Sequence, residues 1–125
     1  MILRIDVGSP VPPYEQIRAQ VSTMVANGVL PVGARLPPIR QLAKDLGVAS
    51  GTVARAYREL EAEAAIVTRG HRGSYVTGTG SRTPARRDEA LASAARTFAL
   101  QARQLGADAG RALNSAKQAL DALEH

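Results

Sequence analysis

The chain of 125 residues has no cysteine and no tryptophan, and aromatic residues make up 3% of it. The lack of cysteine excludes disulfides, a thiolate zinc site and a cysteine nucleophile. Histidine is also scarce, because His71 and His125 are the two in the chain, and this excludes a histidine metal cluster within one chain. We therefore expect no bound metal and no other cofactor.

Long apolar runs are missing as well. No stretch approaches the roughly 20 apolar residues of a membrane span. The N-terminus also lacks the basic region and apolar run of a secretory signal. These absences predict a cytoplasmic protein without a membrane partner. The chain ends in Leu123, Glu124 and His125, which resemble the start of a His-tag, so the last two residues are predicted to be a tag remnant.

The charge of the chain is one-sided. Sixteen basic residues, 14 of them Arg, stand against 11 acidic ones, and the formal net charge is +5. This balance suits a polyanionic partner, although a GC-rich genome would enrich Arg and Ala in the same way. Hydrophobic residues make up 45% of the chain, but Ala supplies much of that share. The core is therefore thin, and a partner subunit would help to stabilise it.

Hydrophobic spacing and turn residues predict a helical first half. Proline is typical of the first turn of a helix, and glycine is typical of the residue after its end. The segment 29–38 contains three prolines and is predicted to be an extended connector. The predicted elements are a short edge strand at Met1–Val7 and helices from Pro13 to the stop at Asn27 and Gly28, over Ile39–Leu46, and over about Ser50–Glu63.

A hairpin and a helical tail are predicted to follow. The strand-like runs Ile66–Arg69 and Ser74–Thr77 are joined by GHRG, which gives a hairpin with a basic tip. Residues 78–84 have the composition of a linker. The rest of the chain, 85–123, is rich in Ala and free of Pro, and GAD at 106–108 is predicted to separate two helices.

Each predicted tail helix has one apolar stripe. Its small side chains would bury little surface within one chain, so we predict that the tail pairs with the same element of a second chain. The residues expected at this dimer contact are Leu91, Phe98, Leu105, Leu113 and Leu120.

The order helix, short helix, turn, basic helix and hairpin predicts a mainly α fold with a small β wing, namely a winged helix-turn-helix domain over 1–77. The alternative for the turn at 46–57 is an ordinary corner between packed helices. Residues 35–72 carry seven basic and four acidic side chains, which favours the DNA-binding interpretation. The start of the third helix, with the hydroxyls of Ser50 and Thr52, would favour a phosphate.

Several separated motifs also resemble a known family. PPYEQIRAQV, GARLPPIRQLAKDLGV, GTVARAYRELEAE and IVTRGHRGSYV, over residues 10–77, are similar to the DNA-binding domain of the GntR family of bacterial transcription regulators. The short tail and the opening ILRIDVGSPVPPYEQI resemble the YtrA subfamily, whose members dimerise through a two-helix tail. The resemblance implies that Arg40 meets DNA at the groove edge, that Thr52 holds a phosphate, and that His71 and Arg72 approach the minor groove.

Some positions depart from the family pattern. Ser50 stands where Arg or Pro is common, Ala54 where some members have a base-contacting Arg, and Ala64 where glycine is more usual. Base discrimination is therefore expected to depend on Arg55, together with Arg40 and the wing. Arg55 and Arg58 share a helical stripe, and either is also placed to pair with Glu59, Glu61 or Glu63 on the helix surface.

We predict from these observations a homodimeric, sequence-specific regulator of transcription, more specifically a repressor, that binds an inverted repeat in double-stranded DNA. The alternatives are a winged-helix scaffold for protein interactions and a non-specific architectural DNA-binding protein. A small-molecule effector stays unassigned. The residues expected to contact DNA are Arg40, Ser50, Gly51, Thr52, Arg55, Arg58, Arg69, His71 and Arg72.

An enzyme is not expected. No nucleophile elbow or phosphate-binding loop motif occurs, and TGTGS lacks the third glycine of a dinucleotide-binding fingerprint. Tyr57 lies on the apolar face of the third helix, so we predict that it belongs to the core.

Overall fold

The computed structural model describes residues 1–78 and 84–123, and the chain forms two compact units, Met1–Arg82 and Thr83–His125. The described elements confirm the predicted fold class, mainly α with a small β wing. In the first unit they are α1 (Pro13–Ala26), α2 (Ile39–Leu46), α3 (Ser50–Ala62), β1 (Ile66–Thr68), a 3-10 turn (Gly70–Arg72) and β2 (Ser74–Val76); in the second they are α4 (Pro84–Gln104) and α5 (Ala109–Leu123).

The core of the first unit forms where α1 and α2 pack against α3. Ile17 and Val21 of α1 and Val53 and Leu60 of α3 are completely buried. They recur at intervals of four and seven residues, which places them on one face of each helix. Tyr57 is 4% exposed, which confirms that it belongs to the core. This packing fixes which face of α3 points outward.

The wing is a short antiparallel hairpin. Ile66 lies opposite Val76, and Thr68 lies opposite Ser74. The connector runs beside β2: the Gly33 N–H donates to the Val76 carbonyl at 2.8 Å, and the Leu36 N–H donates to the Ser74 carbonyl at 2.8 Å. The wing is therefore anchored to the chain that leads into α2.

The N-terminal segment is extended but does not form the predicted edge strand. Its alternation is real, because Leu3 and Ile5 pack against the core. Its hydrogen-bond partners, however, are two side-chain amides of α1 rather than another strand. The Arg4 N–H donates to Gln20 Oε1 at 3.0 Å and Gln20 Nε2 donates to the Arg4 carbonyl at 2.7 Å, while the Asp6 N–H donates to Gln16 Oε1 at 2.8 Å and Gln16 Nε2 donates to the Asp6 carbonyl at 3.0 Å.

The second unit contains the two predicted helices. Gly106, at φ 79°, ends α4, and the Ala107 N–H donates to the Ala102 carbonyl at 3.0 Å. Asp108 precedes α5, and its Oδ1 accepts a hydrogen bond from the Arg111 N–H at 2.9 Å. The GAD segment thus supplies a glycine helix end and an acidic N-cap, which explains why the apolar stripe is interrupted there.

Three details concern the boundaries. α4 begins at Pro84, one residue before the predicted start, because proline fits the first turn of a helix. The Gly78 N–H donates to the Ala65 carbonyl at 3.1 Å and so belongs with the wing. Positions 79–83 of the predicted linker and the predicted tag residues Glu124 and His125 lie outside the described residues.

Among the described helices, none is long and apolar enough to cross a membrane.

Candidate nucleic-acid interface

The outward face of α3 carries positive charge. Gly51, Arg55 and Arg58 lie opposite the buried Val53 and Leu60, and all three are exposed. Within residues 1–78 and 84–123, neither arginine forms an ion pair with a carboxylate. An anion that approaches this face therefore meets two guanidinium groups that are not neutralised.

The start of α3 is open to an acceptor. Ala49 precedes the helix and has no side chain that can cap it, and the Thr52 N–H donates to the Ala49 carbonyl at 3.0 Å. The N–H groups of Ser50 and Gly51 therefore lie uncapped at the positive end of the helix dipole. Ser50 is exposed and Thr52 is half-buried beside these groups. Gly47, at φ 69°, makes the sharp end of α2 that directs the chain into this turn.

The glutamate at the other end of α3 has a partner outside the helix. Glu63 Oε2 lies 3.0 Å from Arg18 Nη1 of α1, and Arg18 Nε donates to Glu15 Oε2 at 2.8 Å. The hydrogen bond from Arg18 lowers the pKa of Glu15, and in return it raises the pKa of Arg18. This network joins α1 to the end of α3. The alternative in which Glu63 neutralises Arg55 or Arg58 is therefore wrong.

An open cleft of about 380 Å³ separates the start of α2 from the wing. Arg40 and Arg35 line it on the side of α2 and the connector, and His71 lines it from the wing. At its base, the Tyr57 hydroxyl donates to the Pro37 carbonyl at 2.7 Å. Burial raises the pKa of Tyr57, so this hydroxyl stays protonated and remains a donor. The fold thus brings together Arg40 and His71, two predicted site residues that are distant in the sequence.

The predicted DNA-contact residues of the wing lie on two different faces of the hairpin. Arg69 and Arg72 line a depression with Val67 and Tyr75, whereas Thr68 and Ser74, whose side chains alternate with these, line the cleft. Arg69, which follows Thr68, therefore lies on the opposite face of the hairpin from the cleft, and Arg72 of the 3-10 turn lines the same depression as Arg69.

Arg35 packs against the wing at Gly73. A Cβ added to Gly73 would lie 2.9 Å from Arg35 Nε, and Gly73 has a φ of 103°, so glycine is needed there for space as well as for conformation. Arg35 is not among the site residues predicted from the sequence. Its place beside Arg40 and His71 depends on the pairing of the connector with β2, which no local pattern indicates.

A second residue that sequence analysis missed is Tyr14, at the start of α1. Arg55 Cζ lies over its ring, 3.7 Å from the ring centroid. The sequence places Tyr14 on the apolar stripe of α1, which accounts for its half-buried side chain. Its contact with Arg55 arises because α1 packs across α3, and helix periodicity alone does not predict that register.

Comparisons with known proteins identify the family of this domain. A model described as "Bacterial regulatory proteins, gntR family" matches residues 13–76. The chain is 46% identical over 104 residues to "HTH-type transcriptional regulator Rv1152" of Mycobacterium tuberculosis (strain ATCC 25618 / H37Rv), which covers 83% of this chain and 82% of that protein.

Two further relatives carry the name YtrA. "HTH-type transcriptional repressor YtrA" of Bacillus subtilis (strain 168) is 37% identical over 82 residues, which are 66% of this chain and 63% of that protein. The solved structure "YtrA from Sulfolobus acidocaldarius, a GntR-family transcription factor" is 36% identical with a TM-score of 0.57, over 79% of this chain and 99% of that one.

Proposed function

The chain belongs to the gntR family of bacterial regulatory proteins and is a DNA-binding transcriptional regulator similar to its YtrA members, and we propose that it is a homodimeric repressor bound to an inverted-repeat operator. The family also confirms the prediction of a regulator rather than an enzyme. The observation that carries the proposal is the exposed face of α3, where two arginines lack a carboxylate partner among the described residues.

In the proposed complex, α3 enters the major groove with this face toward the bases. The uncapped helix start, Ser50 and Thr52 hold a phosphate, and Gly51 allows the backbone to come close because it carries no side chain. Arg55 and Arg58 lie toward the bases. The remaining predicted contacts are made to the backbone or the minor groove, by Arg40 and His71 at the cleft and by Arg69 and Arg72 on the wing.

Exposed apolar side chains of the second unit support the proposed dimer. Leu105 is 86% exposed and Leu113 is 72% exposed, and Leu91, Phe98 and Leu120 are exposed as well. Beyond the turn between them, α4 and α5 are not packed side by side within the described residues. Burying one such side chain contributes about 1.5–3 kcal/mol. A second copy of the tail is the occupant we propose, because an inverted repeat requires a two-fold symmetric protein.

Repression is proposed from the B. subtilis relative, which is named "HTH-type transcriptional repressor YtrA". A dimer that occupies an operator can exclude other proteins from the same DNA. The test is a reporter gene placed downstream of the DNA site to which the protein binds. Expression of the reporter should fall when the protein is supplied. A rise in expression would contradict the repressor assignment.

DNA recognition is tested by selecting sites from a pool of random duplexes, followed by footprinting on the region upstream of the protein's own gene. We expect an inverted repeat whose half-sites lie about one helical turn, roughly 10 base pairs, or a multiple of it, apart. If the protein binds the duplexes but no sequence is enriched, the result would instead support a non-specific architectural DNA-binding protein. Capture of a stable protein partner by a chain without DNA affinity would support the scaffold alternative.

Phosphate contacts are tested by the salt dependence of binding. Arg72→Ala should weaken binding and reduce the slope of log K against log salt by about 0.9. Arg96→Ala is the matched control, because Arg96 is an exposed arginine of α4 outside the proposed surface. Equal effects of the two substitutions would contradict a specific role of the wing.

The dimer is tested by sedimentation of the full chain. Leu105→Ser should favour the monomer, because it places a polar group on the apolar stripe. Leu100→Ser is the matched control: Leu100 is 61% exposed but lies two residues from Phe98, on the other side of α4. A dimer that tolerates Leu105→Ser as well as Leu100→Ser would contradict the proposed interface.

A further inference from the structure

The contact between Arg55 and Tyr14 connects the outward face of α3 with the start of α1. Arg55 Cζ lies over the Tyr14 ring at 3.7 Å from the ring centroid, which is the contact distance of a guanidinium stacked on an aromatic face. Arg55 remains exposed, and Tyr14 is half-buried beside it. The ring therefore supports a cation that solvent still reaches.

Stacking leaves the hydrogen-bonding capacity of Arg55 intact. A cation on an aromatic ring is attracted through the face of the guanidinium, whereas its N–H donors point outward in the plane of the group. That planar edge matches two adjacent acceptors, such as O6 and N7 of guanine or two oxygens of a phosphate. The two interactions use different parts of the side chain and do not compete.

From this geometry we propose that Tyr14 is a positioning residue for DNA recognition, which holds the Arg55 guanidinium on its ring and presents the N–H edge to paired acceptors on the operator. The inference rests on the proposed function of α3. It adds a residue of α1 to the groups that determine binding. Tyr14 acts through Arg55 and needs no contact with a base of its own.

The physical effect is pre-organisation. An arginine on a bare helix surface loses rotamer freedom when it binds, at a cost equivalent to roughly 2- to 10-fold in affinity per ordered side chain. The Tyr14 ring restrains Arg55 before DNA arrives and so reduces that loss. Glu59, one turn further along α3, does not pair with Arg55 among the described residues. The positive charge of Arg55 therefore remains available to DNA.

A double-mutant cycle on the full chain tests the pairing. The affinity of wild type, Tyr14→Leu, Arg55→Ala and the double variant is measured on the selected operator, with far-UV circular dichroism to check that each variant is folded. Tyr14→Leu should weaken binding roughly 2- to 10-fold in the wild-type background. It should have no effect once Arg55 is Ala, because the side chain that it positions is gone.

A conservative variant separates the ring from the hydroxyl. Tyr14→Phe keeps the aromatic face and should bind like wild type, so an affinity as low as that of Tyr14→Leu would overturn the proposal. Equal losses from Tyr14→Leu in both Arg55 backgrounds would overturn it too, because they would indicate a general structural role. If wild type prefers no site over random DNA, the proposed function fails first and this inference fails with it.

The same variants identify the acceptors that Arg55 meets. If they are guanine O6 and N7, Tyr14→Leu and Arg55→Ala should both reduce the preference for G at one position of each half-site. If they are phosphate oxygens, Arg55→Ala should instead weaken binding to all sequences alike and lower the salt slope by about 0.9. Coupling between Tyr14 and Arg55 in the double-mutant cycle supports the proposal, whether the loss of affinity is specific to G or the same for all sequences.

Discussion

Ala64, two residues after the last residue of α3, has a backbone conformation that a side chain disfavours. Its φ is 61°, which lies in the left-handed region. The Ala65 N–H donates to the Leu60 carbonyl and the Ala64 N–H to the Glu61 carbonyl, both at 2.9 Å. This is the hydrogen-bond pattern of a Schellman motif, in which glycine is the usual residue at this position. Ala64→Gly should therefore stabilise the first unit.

The size of this effect follows from two opposing terms. Left-handed backbone costs an L-residue roughly 1–2 kcal/mol, and glycine removes that cost. Glycine also gives the unfolded chain more freedom, which offsets roughly 0.4–1 kcal/mol. The Ala64 methyl is exposed, so its removal loses little packing. The net gain in the free energy of unfolding should be about 0.5–1 kcal/mol, equivalent to roughly 2–8 °C in Tm.

The assay is unfolding followed by tyrosine fluorescence. All three tyrosines, Tyr14, Tyr57 and Tyr75, lie in the first unit, and the chain has no tryptophan, so this signal reports on that unit. The matched control is Gly47→Ala at the end of α2, where φ is 69° and an added Cβ meets nothing within 4 Å. It should destabilise the unit by a similar amount. A neutral or destabilising Ala64→Gly beside a destabilising Gly47→Ala would show that the left-handed backbone at Ala64 carries no such cost.

Three other substitutions test the contacts that support the interface. Tyr57→Phe removes the donor to the Pro37 carbonyl and should cost about 1–2 kcal/mol. Because burial raises the pKa of Tyr57 above its ordinary value of 10, the contribution of the hydroxyl is complete below pH 10 and is lost gradually as the pH rises from there toward the folded-state pKa. The difference in urea midpoint between wild type and variant should therefore be smaller at pH 11 than at pH 8. Arg18→Gln should cost up to about 1 kcal/mol at pH 7, since its partners are partly exposed; the pKa of Glu15 is lowered, so the wild-type advantage should vanish as pH falls below 4.5. Gly73→Ala would place a Cβ 2.9 Å from Arg35 Nε. It should displace Arg35 from the cleft that it lines with Arg40, and we expect operator affinity to fall. Gly33→Ala, at φ 89° with open space around the added Cβ, should lower stability alone, and equal affinities of the two variants would argue against a contribution of Arg35 to binding.

Helix bounds were predictable to within one or two residues because their signals are local. Pro13 and Gly47 begin and end helices through their own backbone restrictions, and the GAD segment does so through a glycine and an acidic cap. The N-terminal segment was mispredicted for a physical reason. Its alternation indicates an extended chain, but it does not indicate whether a strand or the amides of Gln16 and Gln20 satisfy its backbone.

The site was predictable only in part. The basic stripe of α3 follows from helical spacing, so Arg55 and Arg58 could be assigned to its outward face. The stacking of Arg55 on Tyr14, the contact of Arg35 with Gly73, and the pairing of Glu63 with Arg18 join segments that are distant in the sequence. Each depends on how one element packs across another, which the sequence pattern of neither element specifies.

We propose that this chain recognises one DNA sequence rather than DNA in general. The most direct test is the ratio of its affinities for the selected inverted repeat and for a scrambled duplex of the same length and composition, measured by anisotropy at 0.15 M salt. Specific regulators show ratios of roughly 10³ or more, and we expect this chain to do so. A ratio near one, with binding to both duplexes, would show that the chain does not recognise a specific sequence.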